Sequence, residues 1–154
     1  MLILDAPTTG LDPQSRLHIW QRLRSLKQAG TTMLLCTHAM DEAQQLCDRL
    51  AIIDRGQVLA MGSPAELIAK HAGGEVLLLK GIREESLGDL ELEELVKNLR
   101  LERHENWLYA FAPAEETIPG DLLDLAHAKQ LQVQVRKASL EDVFLNLTGR
   151  ELRE

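Results

Sequence analysis

The 154-residue sequence predicts an α/β fold followed by a small α+β domain, and three observations carry that prediction. Short apolar runs, Met1 to Asp5 and Thr31 to Thr37, read as buried strands. Stretches whose apolar residues recur at helical spacing alternate with them, as a parallel sheet with right-handed crossovers requires. At His71-Ala72-Gly73-Gly74 the composition shifts, marking a linker between a unit of residues 1–70 and one of residues 71–154.

Each element has a local reason. Pro7 to Pro13 is a loop, dense in Thr, Gly and Pro. From Gln14 to Ala29, Leu17, Trp20, Leu23 and Leu26 share a helical face, and Gly30 closes the helix. Met40 to Cys47 is a short helix with Asp41 and Glu42 in its first turn, where the helix dipole favours carboxylates. Leu50 to Asp54 and Val58 to Met61 flank Arg55-Gly56-Gln57 and read as a hairpin. Ser63, Pro64 and Glu66 supply the cap, the first position and the third position of a capping box. In the second unit, Glu75 to Lys80 is a strand and the stretch near Leu90 to Leu99 is helical. Leu101 to Phe111 is a hairpin turning at Glu105-Asn106, with Trp107 and Tyr109 alternating onto one packed face. Asp121 to Lys129 is a helix and Leu131 to Arg136 an alternating strand. Leu140 to Leu147 is a helix capped by Ser139, with Leu140, Val143, Phe144 and Leu147 facing the sheet. This set has ferredoxin-like character.

Composition narrows the function. The chain is 45% hydrophobic but only 3% aromatic, so Leu, Ile, Val and Ala must fill its core. The net charge of −7 falls wholly in the second unit: residues 1–70 carry seven basic and seven acidic side chains, residues 71–154 ten and seventeen. An acidic second half disfavours nucleic acid and anionic lipid as partners there. No apolar run approaches the roughly 18–20 residues that span a bilayer. No basic segment precedes the first apolar run as in a signal peptide, so the expected compartment is the cytoplasm. Cys36 and Cys47 form no CxxC pair and are expected to be reduced. His18, His71, His104 and His127 share no metal-ligand spacing.

Two residues stand where chemistry is done. Asp5 ends the first strand, and ligands of open α/β sheets bind beyond the carboxyl ends of strands. A carboxylate there can hold Mg²⁺ against nucleotide phosphates, although an aspartate after a strand is more often a cap or a turn residue. His38 lies just past the second strand and before a helix, where an imidazole can donate to a phosphate oxygen or a water, although a lone histidine there is usually structural. Asp12, with Pro13 behind it, reads as an N-cap of the following helix.

The string Asp5-Ala6-Pro7-Thr8-Thr9-Gly10-Leu11-Asp12-Pro13 resembles the Walker B strand and D-loop of ABC-transporter ATPases. Thr37-His38 followed by Met40-Asp41-Glu42-Ala43 is similar to their switch-histidine loop. Leu46-Cys47-Asp48-Arg49, Asp54-Arg55-Gly56 and Gly62-Ser63-Pro64-Ala65-Glu66 continue the pattern, so the resemblance covers residues 1–70 almost without interruption. Residues 138–153, and Ser15-Arg16-Leu17-His18-Ile19-Trp20, look like the branch that exports drugs, polysaccharides and lipo-oligosaccharides, of the daunorubicin-exporter and nodulation-factor-exporter kind. The resemblance implies a partial P-loop NTPase sheet with flanking helices. It implies Asp5 as the Mg²⁺ aspartate, acting through water, and His38 as the sensor of the ATP γ-phosphate. It implies Gly10, Leu11 and Asp12 as a loop facing a second ATPase subunit. Membrane permease subunits would be the other partners, with the chain peripheral on the inner face of the membrane.

Two departures qualify that implication. Ala6 stands where the family has its general-base glutamate, and a methyl group cannot polarise water. No Gly-x-x-x-x-Gly-Lys-Ser/Thr string occurs among these residues, nor does the family's Q-loop or LSGGQ-type signature. The expected function is a truncated ATP-binding subunit of an exporter. The alternative is a catalytically dead interaction or regulatory protein that pairs with an intact ATPase subunit. A truncated sheet would leave unpaired edges and exposed apolar surface around Leu2 and Leu4.

Overall fold

In the computed structural model, which describes residues 1–80, 95–104, 107–114 and 116–149, the chain is a mixed α/β protein. Strands β1 (Leu2–Asp5) and β2 (Met33–Cys36) run parallel, with Leu2 opposite Met33 and Asp5 opposite Cys36. Helix α1 (Pro13–Gln28) connects them. The Asp12 carboxylate caps α1 by accepting from the N–H groups of Gln14 and Ser15, both at 3.0 Å. Gly30, with φ 84°, follows the end of the helix in the left-handed region that glycine adopts freely.

The pleat decides which side of this sheet is covered. Leu2, Leu4, Met33 and Leu35 pack against a cluster of Trp20 and Leu23 from α1 and Leu46. Their alternates point the other way, leaving Ile3 65% and Leu34 61% exposed. The exposed apolar surface expected at Leu2 and Leu4 therefore lies one residue along, on the opposite face.

Helix α2 (Met40–Leu46) leads to a hairpin of β3 (Leu50–Asp54) and β4 (Gln57–Gly62). Arg55 and Gly56 have φ of 49° and 75°, the two positive values of the tight turn that matches strand twist, so Gln57 already belongs to β4. Helix α3 (Pro64–His71) starts on the expected box: the Glu66 N–H donates to Ser63 Oγ at 3.3 Å, and the Ser63 N–H to Glu66 Oε2 at 2.8 Å.

A four-stranded second-unit sheet contains β5 (Glu75–Lys80), β6 (Arg100–His104), β7 (Trp107–Phe111) and β8 (Gln132–Lys137), in the order β6-β7-β5-β8 with every pair antiparallel. Strand β5 is central and its Val76, Leu77 and Leu79 are fully buried. Leu77, Leu79, Leu108 and Ala110 form one core with Leu122 and Ala126 of α4 (Gly120–Ala128). Val76, Leu78 and Phe111 form the other with Leu140 and Val143 of α5 (Leu140–Thr148). That second core also takes in Ala43 of α2, Ile52 of β3 and Leu67 of α3, so it runs across the expected boundary at residues 70 and 71. Only the end of the expected helix near Leu90 to Leu99 falls among the described residues, at Leu95 and Val96. The expected turn at Glu105-Asn106 lies outside them.

Polar contacts also gather around the expected boundary. The His71 carbonyl accepts from Arg100 Nη1 at 2.9 Å and also from the Asn146 amide. The Leu140 N–H donates to Gln44 Oε1 at 3.1 Å, joining the start of α5 to α2. Gly73 has φ 88°, and a Cβ there would lie 2.0 Å from the Ala112 carbonyl oxygen, so the Gly-Gly segment is a close backbone crossing. At the N-terminus of α5, Asp142 is 1% exposed. Its carboxylate accepts a forked pair from Arg136, at 2.6 and 2.7 Å, and the Ser139 N–H at 2.8 Å. The Asp142 acceptor in turn pushes the Arg136 guanidinium pKa up.

Three outcomes follow from these contacts. Asp142→Ala leaves a half-buried guanidinium without its partner and should lower stability by about 3 kcal/mol in urea unfolding. Hydrogen bonds from Ser15 and from Ser63 hold the Asp12 and Glu66 carboxyls below their ordinary values of 3.8 and 4.5. A depressed folded-state pKa contributes stability above the unfolded value and loses it as pH falls through the folded one. The amide resonances of Gln14, Ser15 and Ser63, which donate to these carboxylates, should therefore titrate on acidification with midpoints below those ordinary values. The uncovered Ile3 and Leu34 should bind a hydrophobic dye, and Ile3→Lys with Leu34→Lys should remove most of the signal without loss of secondary structure.

Candidate functional site

Parallel pairing brings the carboxyl ends of β1 and β2 side by side. Asp5 ends the first strand with its carboxylate exposed, and His38, also exposed, lies two residues past the end of the second. The two residues singled out from the sequence thus share one edge of the sheet. The Ala6 N–H donates to the Cys36 carbonyl at 2.8 Å, which extends the ladder by one residue and holds both strand ends in register.

At Ala6 the chain leaves the sheet with φ 44°, a left-handed conformation that costs a residue bearing a Cβ about 1–2 kcal/mol. A turn follows, closed by the Thr9 N–H donating to the Ala6 carbonyl at 3.2 Å. A second turn closes with the Leu11 N–H donating to the Thr8 carbonyl, also at 3.2 Å. Gly10, with φ 77°, and Leu11, 42% exposed, form the outer part of the loop. Asp12 returns the chain to α1 as its N-cap, the reading its sequence context supported.

The loop carrying His38 is fixed more simply. Thr37 Oγ1 accepts the Ala39 N–H at 3.1 Å, turning the chain between β2 and α2. Cys36, exposed beside Asp5, has its thiol pKa pushed up because the carboxylate hydrogen-bonds to the thiol and repels the thiolate.

The strongest contact here was not read from the sequence. Glu42 is fully buried, and its Oε1 accepts from Thr8 Oγ1 at 2.8 Å and from Trp20 Nε1 at 3.1 Å. Trp20, expected in the core, is there, and its indole N–H supplies one of the two donors. Arg16 of α1 pairs with Asp41 and lies 4.7 Å over the Trp20 ring, so α1 and the first turn of α2 are bound twice. The available signal was position: Glu42 stands four residues before Leu46, on the stripe of α2 that faces the sheet.

Chemically, the edge offers one exposed carboxylate, one exposed imidazole and a methyl group at position 6. A lone carboxylate fits Mg²⁺, which keeps several waters and takes one or two protein oxygens beside substrate phosphates. No cluster of three or more His, Cys, Asp or Glu side chains suited to a metal occurs among the described residues. No helix among them is long and apolar enough to cross a membrane.

Comparison with known proteins adds the family. Residues 90–149 match the C-terminal domain of the nodulation factor export protein NodI. Over its full length the chain is 43% identical to the Nod factor export ATP-binding protein I of Mesorhizobium japonicum, of which it covers 44%. It is 44% identical to the proteins of that name from Cupriavidus metallidurans and Paraburkholderia xenovorans, and covers 49% of each. The chain thus spans about half the length of the curated relatives it matches. From end to end, its sequence resembles that of the C-terminal part of an ABC transporter ATP-binding subunit of the kind found in Nod factor exporters.

Proposed function

We propose that this chain provides the Mg²⁺-facing and dimer-facing part of an exporter's ATP-binding subunit, and that its 154 residues alone neither grip nor cleave ATP. The observation that carries the reading is the shared strand edge: Asp5 and His38 lie at the carboxyl ends of adjacent parallel strands, the position where such sheets bind ligands. ATP and Mg²⁺ are the general cofactors of ABC ATP-binding proteins, and Mg²⁺ supplies charge neutralisation at the phosphates when bound. Asp5 orients that ion through water. His38 donates to the γ-phosphate from the neighbouring strand end. Gly10, Leu11 and Asp12 face a second ATPase subunit across the nucleotide.

Ala6 takes no part in proton transfer, so any hydrolysis at this site lacks its general base, a loss of about 10²–10⁴ in rate. The parallel pair β1–β2 with α1 and α2 is read as part of a P-loop NTPase sheet, and residues 71–154 as a ferredoxin-like accessory domain. The order β6-β7-β5-β8 supports the latter. Permease subunits in the membrane are the partners, and the assembled chain is cytoplasmic, peripheral on the inner face. The transported molecule belongs to the drug, lipid or oligosaccharide class.

Ala6 also favours a second reading, a non-catalytic protein that pairs with an intact ATPase subunit and modulates it. One set of measurements separates them. The purified chain should show neither submicromolar ATP affinity nor turnover, and either result would sink the main reading. Mixed with a polypeptide carrying the phosphate-loop half of a related subunit, it should gain Mg²⁺-dependent ATP binding that Asp5→Ala removes. Turnover should then need Ala6→Glu. Stable capture of an intact subunit, with no gain in nucleotide binding, would favour the modulator.

A further inference from the structure

Glu42 does more than fill space. Its carboxylate is fully buried, and Oε1 alone takes both donors, Thr8 Oγ1 from the loop after β1 and Trp20 Nε1 from α1. Oε2 is buried as well and finds no partner among the described residues. Burying a carboxylate with one oxygen unpaired is costly, and an apolar side chain would pack the same stripe of α2 without that cost. What an apolar side chain would lose is the tie to Thr8, the one buried polar link between the loop of residues 6–12 and the helix after His38 among the described residues.

We propose that Glu42 is a positioning residue: through Thr8 it locks the loop of residues 6–12 to α2, so that Asp5, the loop and His38 move as one body. The lock accounts for a polar threonine 6% exposed in the middle of an otherwise open loop. It explains how a left-handed Ala6 is held without a glycine, since the turn behind it is anchored from outside the loop. Its bearing on a nucleotide site rests on the ATP-binding reading above; the lock itself does not, and it is tested without nucleotide.

Thr8→Val removes the donor and keeps the shape. In the 154-residue chain it should speed amide hydrogen exchange roughly tenfold at Thr9 and Leu11, whose N–H groups close the loop turns. The same gain is expected at Ala43, whose N–H donates to Ala39 in the first turn of α2, with Leu77 and Leu79 of β5 unchanged. The His38 ring resonances should shift in Thr8→Val and return in Thr8→Ser, which restores a hydroxyl. Glu42→Ala should reproduce the Thr8→Val pattern; if it fails to fold, Thr8→Val alone decides. Unchanged exchange at Thr9 and Leu11, equal acceleration in β5, or His38 resonances indifferent to Thr8 would each overturn the proposal.

Discussion

A carboxylate removed from water imposes order on everything around it, and the fully buried Glu42 is the one on which this molecule turns. Leaving a buried acceptor of this kind unpaired costs about 1–3 kcal/mol, so its donors must be held in place. Those donors come from two different segments, the loop after β1 and α1. The remaining polar side chains of α2 reach outward as well. Asp41 pairs with Arg16, Gln45 accepts from Arg24 at 2.7 Å, and Gln44 accepts from the first N–H of α5. Lys27 closes the other end on the Leu46 carbonyl at 2.9 Å. Seven residues of helix thereby join the parallel strands to the four-stranded sheet.

The two halves are joined just as firmly by apolar contact. Ala43, Ile52 and Leu67 from before residue 71 share a core with Val76, Phe111, Leu140 and Val143 from beyond it. Around that core the junction is narrow, with one carbonyl at His71 serving two side-chain donors and one glycine at position 73 allowing two backbones to cross. Helix α5 is therefore covered on two sides, by its own sheet and by helices of the first unit. A composition shift marked the place, but it marked a seam and not a tether.

What could be read from the sequence was what is decided within a few residues. The caps at Asp12 and at Ser63 with Glu66 and the Arg55-Gly56 turn each depend on near neighbours, and each lies within a residue or so of its expected place. The strand edge shared by Asp5 and His38 was legible too, because apolar runs announce parallel strands and the residues after them mark the ligand side. The face of β1 that packs was not, since Leu2-Ile3-Leu4 is apolar at every position and only the partner helix chooses between its two sides. Glu42 escaped for a similar reason. A glutamate in the first turn of a helix is explained by the dipole alone, and its donors lie 34 and 22 residues away in sequence.

The thiol opposite Asp5 gives that strand end a chemical temper of its own. Cys36 is exposed, and the carboxylate beside it pushes the thiol pKa further up from its ordinary 9.0. A thiol that stays neutral is a slow nucleophile and resists oxidation and alkylation, even where reagents can reach it. It also adds no second negative charge beside the aspartate. The edge that carries Asp5 therefore gains no thiolate charge through the neutral range.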